Sequence, residues 1–290
     1  MTGSVAVRAP TIRSVTSTTQ RAPLDDGTEL FVRNWRPAGQ PWAFVLLVHG
    51  LAEHSGRYEH VGGRLAAAGL DVTAYDQRGF GASGGRRAFV ARWATVHDDL
   101  VEQLAAVRAR SGGRPVIVYG HSLGGLIALG HVLTNRPKPD FLVLSAPAIE
   151  AAIPAWKRTL AKLLSRVAPN AEVKNAFDGA DLSRDPAVAE AYFADPLNCH
   201  KTTARFAAVA LGEQSRVKSR LGGLAIPTLV IHGSADRIVP ASGSESLGSI
   251  PGVTRRTYPD HRHELHNEPD GPAIIDDVIA WLRATVTSPA

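Results

Sequence analysis

The stretch VIVYGHSLGGLIALGHVL, residues 116–133, is an apolar run, a glycine-rich turn around one serine, and a second apolar run. The first run is short, rich in β-branched residues and bounded by turn residues, which predicts a strand covered on both faces. The run that follows the turn predicts a helix. Gly120, Ser122 and Gly124 stand between them with the spacing G-x-S-x-G. In a strand–turn–helix setting this spacing makes a turn so tight that the serine backbone is strained and its Oγ projects into a cleft. Glycine is needed on either side because strand and helix come too close there for side chains. The amide of Leu123, next in the chain, then points at the place where an oxyanion would form, at a helix N-terminus. Ser122 is thus a candidate nucleophile and Leu123 N–H a candidate oxyanion donor.

A serine hydroxyl is a poor nucleophile at neutral pH and needs a base. Elbows of this kind are followed in the chain by an acid and then a histidine. After the apolar run TLVIHG comes SADRIVP, which places Asp236 just past a strand end, where functional groups of open α/β sheets collect. YPDHRHELHNEP then offers His261, His263 and His266 before the last helix, and residue chemistry leaves the choice among the three open. A metal site made from these histidines has no firm carboxylate partner in the pattern. Asp76, in AYDQRG, precedes the serine and reads as a loop-building residue; Asp260 reads as a turn cap. A second oxyanion donor is expected from the loop after an early strand. LVHGLAEHSGRY fits, with Gly50 turning the backbone and Leu51 N–H as the donor.

Working outward, TELFVRNW alternates and follows DDG, which predicts the second arm of a hairpin at a sheet edge. AFVLLVHG, LDVTAY, FLVLSAP and PTLVIHG predict further strands. YEHVGGRLAAAG, ATVHDDLVEQLAAVRAR and PAIIDDVIAWLRATV predict helices, the second with Asp98 and Asp99 near its start, where negative charge suits the helix dipole. Alternating strands and helices imply a mainly parallel, doubly wound α/β sheet. Residues 148–225 break that rhythm with helical patterning and no strong strand, far longer than a crossover needs. The expected organisation is a loose tail over residues 1–14, an α/β core over 15–147 and 226–285, and an inserted helical cap over 148–225.

The chain has 290 residues and a formal charge of +5, with basic residues scattered and not interleaved with aromatics, which argues against nucleic-acid binding. No apolar stretch is long enough for a transmembrane helix, and nothing near the N-terminus reads as a signal-peptide core. Cys199 is the one cysteine, which excludes an intramolecular disulfide and a multi-cysteine zinc site and fits a reducing, cytoplasmic location. AWKRTLAKLLSRV places Trp156, Leu160, Leu163, Leu164 and Val167 on one helical face and Lys157, Arg158, Lys162 and Arg166 around the rest. Two readings stand: a lid that dips into a lipid surface, giving peripheral membrane contact, or an ordinary cap helix packing its stripe over the site.

HGLAEHSGRY, YDQRGFGASGG, GHSLGG, HGSADRIVP, HELHNEP and DPAVAEAYFADPL together resemble the monoacylglycerol lipase branch of the α/β-hydrolase superfamily, over residues 25–284. GHSLGG is widespread in that superfamily; HGxxEHSxRY is far more specific. The resemblance implies an α/β-hydrolase fold and a serine hydrolase that splits monoacylglycerols into glycerol and fatty acid through an acyl-serine. It implies no metal or organic cofactor. It assigns Ser122 as nucleophile, Asp236 as acid and His263 as base, with Leu51 and Leu123 at the oxyanion positions. His121 and Tyr192 match a polar pocket at the glycerol end. Two departures are visible: Arg262 stands where the family has an aromatic residue, and Val188 where some relatives carry an acid. The same machinery would also serve a broader carboxylesterase or lysophospholipase.

Overall fold

The computed structural model describes residues 15–175 and 177–286. The expected loose tail, residues 1–14, lies outside them. The chain opens with β1 (Thr18–Pro23) and β2 (Glu29–Trp35), an antiparallel hairpin. Then come β3 (Ala43–Val48), α1 (Glu59–Ala67), β4 (Leu70–Tyr75), α2 (Trp93–Ser111), β5 (Val116–His121), α3 (Leu123–Val132) and β6 (Phe141–Ser145). A long segment follows with α4 (Ala155–Val167), β7 (Glu172–Lys174), α5 (Pro186–Ala194), β8 (Lys201–Thr203) and α6 (Ala204–Arg220). The chain closes with β9 (Thr228–Gly233), β10 (Val253–Tyr258) and α7 (Gly271–Val286).

Eight strands form one sheet in the order β1-β2-β4-β3-β5-β6-β9-β10. From β4 to β10 every neighbouring pair is parallel, and β2 joins β4 antiparallel. The hairpin expected at a sheet edge is thus observed, with β1 outermost and β2, its second arm, paired on both sides. The continuous apolar runs have a simple cause. In β3, Phe44, Leu46 and Val48 face one core layer, with Leu100 and Leu104 of α2 and Leu126 and Leu129 of α3. Val45 and Leu47 face the other, with Val61 and Leu65 of α1 and Ile275 and Val278 of α7. A strand covered by helices on both sides has no polar face to display.

Two further expectations are corrected. α2 begins at Trp93, so its first turn holds no acidic residue, and Asp98 and Asp99 fall a turn later. Their role is ion pairing: Asp99 takes a two-pronged contact from Arg78 at 2.6 and 2.9 Å, and Asp98 pairs with Arg136 at 2.6 Å. The segment between β6 and β9 is also not purely helical, because β7 and β8 pair antiparallel. Three exposed residues, Glu172, Val173 and Lys174, are too few to carry a strand period.

The face of α4 is the finding with most bearing on function. Its buried or half-buried residues are Arg158, Ala161, Leu164 and Ser165. Of the five residues of the expected stripe, Leu164 turns inward, while Trp156, Leu160, Leu163 and Val167 stay exposed at 64%, 43%, 56% and 72%, with Trp156 and Leu160 also reaching the cavity described below. Among the described residues no helix is long and apolar enough to cross a membrane.

Candidate active site

Four loops at the carboxyl edge of the sheet converge here, after β3, β5, β9 and β10. Ser122 follows β5 directly and sits at φ 51°, a left-handed conformation unusual for a residue with a Cβ. The glycines around it are required by contact: a Cβ on Gly120 would strike the Gly124 carbonyl, and one on Gly124 would strike the Val48 carbonyl. The strained turn is held by neighbours. Ser122 N donates to Ser145 O at 2.9 Å, and Ser122 O accepts from Ala148 N at 2.9 Å and Leu126 N at 3.0 Å.

Ser122 Oγ lies 2.8 Å from His263 Nε2, and His263 Nδ1 lies 2.7 Å from Asp236 Oδ2. The other oxygen, Asp236 Oδ1, accepts from the amides of Ile238 and Val239, both at 2.9 Å. Burial alone would raise the Asp236 carboxyl, but His263, a contact from His232 and the Val239 amide outweigh it and hold it well below the carboxylate range. Burial alone would likewise lower His263; the Asp236 charge outweighs that and lifts it above an ordinary imidazole. The other two histidines are placed elsewhere. His261 Nε2 contacts Asp270 at 2.8 Å, and His266 stacks on Tyr58 at 4.8 Å. Asp76 ties loops together, accepting from Ser55 N and Ala82 N at 2.8 Å each. Asp260 occupies a turn at φ 60°.

Gly50 brings the loop after β3 against this elbow, its missing Cβ 3.3 Å from Ser122 Cβ. Leu51 and Leu123 both line the adjoining cavity. As the first residue of α3, Leu123 has an amide without an intrahelical acceptor. The loop is anchored by a buried carboxylate that sequence reasoning did not single out. Glu53 accepts from Gly50 N at 2.5 Å, Tyr58 OH at 2.7 Å and Arg57 at 2.5 Å. Arg57 also reaches Glu264, beside His263, through two bonds of 2.6 and 2.7 Å. One guanidinium thereby ties the loop carrying Leu51 to the loop carrying His263. The i, i+4 spacing of Glu53 and Arg57 in HGLAEHSGRY was the available signal; Glu264 lies 207 residues from Arg57.

His121 is buried against His263, ring centroids 4.9 Å apart, and burial together with His263 pushes its pKa down to about 3, so it is neutral at pH 7. Tyr192, on α5, is buried under the Arg57 guanidinium, 4.9 Å from its ring, and its OH donates to Ala52 O at 3.4 Å. Both line the cavity, which holds about 500 Å³ and is mostly apolar, with Leu126, Phe206, Leu211 and Val239 of the surrounding elements and Trp156, Leu160 and Leu164 of α4 among its lining. Among the described residues no cluster of His, Cys, Asp and Glu has a metal-holding arrangement.

A family profile described as "Serine aminopeptidase, S33" matches residues 39–270, which spans all of these groups. The chain belongs to this family of serine hydrolases. Within it the chain is 36% identical over 262 residues to the "Monoacylglycerol lipase" of Mycolicibacterium smegmatis, covering 88% of this chain and 93% of that one. It is 34% identical to the human "Monoglyceride lipase", covering 84% and 82%. Among solved structures, the monoacylglycerol lipase of Paleococcus ferrophilus superposes with a TM-score of 0.78 at 29% identity, over 88% of this chain and 98% of that one. The α/β-hydrolase fold expected from the sequence is the fold observed.

Proposed function

We propose that the protein hydrolyses monoacylglycerols to glycerol and fatty acid by acyl transfer through Ser122. The observation that carries this is the unbroken chain Ser122–His263–Asp236, at 2.8 and 2.7 Å, opening on an apolar cavity of about 500 Å³. That volume is within the roughly 300–1,000 Å³ of ordinary ligand pockets. The names of the relatives at 36% and 34% identity support the head group.

In this reading His263 takes the Ser122 proton as Oγ attacks the ester carbonyl. Asp236 holds the imidazole with Nε2 toward the serine and stabilises its charged form. The amides of Leu51 and Leu123 bind the tetrahedral oxyanion, each worth about 3 kcal/mol in the transition state. His263 then protonates the departing glycerol oxygen, and water repeats the sequence on the acyl-serine. Neutral His121 and the Tyr192 hydroxyl bound the polar end, where glycerol sits; the acyl chain takes the apolar end. Residues 148–225 act as the cap over the core of residues 15–147 and 226–285. The outward stripe of α4, with Lys157 and Lys162 beside it, meets the lipid surface that supplies the substrate.

The test is hydrolysis of monoacylglycerols of increasing chain length beside di- and triacylglycerols, a lysophospholipid and an aminoacyl anilide. Turnover concentrated on monoacylglycerols supports the reading. Preference for lysophospholipid or for short simple esters would replace it with the broader carboxylesterase, and anilide cleavage would replace it with a peptidase.

A further inference from the structure

His232, at the end of β9, is fully buried and plays no part in the mechanism above. Its surroundings fix one of its hydrogens. Nε2 lies 2.9 Å from the Val239 carbonyl oxygen, which can only accept, so Nε2 carries a hydrogen. The same Nε2 lies 3.3 Å from Asp236 Oδ2, the oxygen that also receives His263 Nδ1. Nδ1 lies 2.9 Å from the buried Ser244 hydroxyl. Arg255 Nε donates to Ser244 Oγ at 3.1 Å, and an Arg255 terminal nitrogen serves the Ala241 carbonyl at 2.9 Å. Ser244 Oγ also lies 3.0 Å from that Ala241 carbonyl, so its one hydrogen has two acceptors within reach, Ala241 O, already served by Arg255, and Nδ1. The single Nε2 hydrogen therefore stands between two acceptors, the Val239 carbonyl at 2.9 Å and Asp236 Oδ2 at 3.3 Å, and Oδ2 also receives His263.

We propose that His232 is a positioning residue for the catalytic acid, an imidazole whose Nε2–H stands beside Asp236 Oδ2, shares that oxygen with His263 and limits how strongly it pulls on the base. The proposal rests on the roles assigned to Ser122, His263 and Asp236 above. Asp236 Oδ1 is held by two backbone amides, so Oδ2 is the oxygen through which a side chain can tune the acid. Without the His232 donor, Oδ2 has more charge to offer His263, and the imidazolium is favoured. The charged and titratable groups that face this pair are Arg255, reached through Ser244 on the His232 side, and Glu264, Glu53, Arg57 and His121 on the His263 side. None of these is altered by the substitutions below.

The experiment compares His232→Leu, His232→Gln and His232→Asn on a soluble nitrophenyl ester, with Ser122→Ala as blank, so that the readout does not depend on the glycerolipid assignment. Gln can place its amide N–H near the Nε2 position; Asn is too short to reach Asp236 and keeps at most the Ser244 contact. Leu and Asn are expected to lose about tenfold in kcat, one charge-assisted hydrogen bond, with KM within about twofold. In both, the acid limb of kcat/KM moves up by about half a pH unit. Gln is expected to stay within about threefold of the parent with its acid limb in place. If Leu does not fold, the Gln–Asn comparison alone decides. Equal impairment of Gln and Asn, or lost kcat with an unmoved acid limb, would reduce His232 to a packing residue and overturn the proposal. Unchanged kinetics in folded Leu or Asn variants would do the same. A parent protein with no Ser122-dependent turnover would instead overturn the reading on which the proposal rests.

Discussion

Replacing Arg57 with methionine removes one charge and leaves most of the volume. Arg57 is buried between Glu53 and Glu264, the three side chains being 9%, 3% and 3% exposed. Breaking a buried ion pair while leaving its partner in place costs about 3–5 kcal/mol, because a charge stays buried without compensation. At about 2–4 °C per kcal/mol for a chain of this size class, Tm should fall by roughly 10 °C at pH 7. The pH dependence is more diagnostic than the size. In the parent, burial pushes the Glu264 carboxyl up, but Arg57 outweighs it and holds the group well below the carboxylate range. Glu264 is then ionised in folded and unfolded chains alike between pH 5 and 7, and its contribution is constant there. That contribution declines only as pH falls below the unfolded carboxylate value of about 4.3. In the variant, burial without the guanidinium lifts the folded-state carboxyl above its unfolded value. The folded variant then binds more protons, and its stability rises as pH falls from 7 to 5. The gap between parent and variant should narrow by about 1–2 kcal/mol over that interval, read as Tm or urea midpoint at the two pH values. A gap of the same size at pH 5 and pH 7, or a loss under about 1 kcal/mol at pH 7, would refute the reasoning.

Two further outcomes follow from the same geometry. The Asp236 charge raises His263, so the neutral base is lost as pH falls through a value above about 6.5, and the acid limb of kcat/KM should lie there; a limb near pH 5 would contradict the Asp236–His263 coupling. Charge removal at Lys162 and Arg166, which are exposed and do not line the cavity, should weaken co-sedimentation with anionic liposomes at low salt while soluble-ester turnover stays unchanged, and unaltered binding would remove the lipid-surface role of α4.

The parts of the fold legible in sequence are those whose signal is local. The G-x-S-x-G turn states its own geometry, because two backbone contacts at Gly120 and Gly124 exclude every side chain. The inner strands β3, β5, β6 and β9 are legible as apolar runs because helices cover both faces, whereas β10, VTRRTY at the sheet edge, carries no such run. Asp236 and His263 are legible by order along the chain, although choosing His263 over His261 and His266 needed the family resemblance. The exposure of most of the α4 stripe is not legible, since an apolar face looks the same whether it meets protein or solvent. The i, i+4 pair of Glu53 and Arg57 is local, but the Glu264 that completes the bridge lies 207 residues on and is brought in only by the fold. His232 hides inside an apolar run, and its contact with Asp236 depends on the loop after β9 folding back so that Val239 meets the ring.

The measurement that bears most directly on the central claim is fatty acid release from a monoacylglycerol dispersion by the parent protein and by Ser122→Ala, with the fold of both checked by circular dichroism. The account predicts turnover by the parent and a loss of at least about a thousandfold in the folded variant, since nucleophile, base and acid act as a unit. A folded Ser122→Ala protein that keeps more than about a tenth of the parent rate would contradict it.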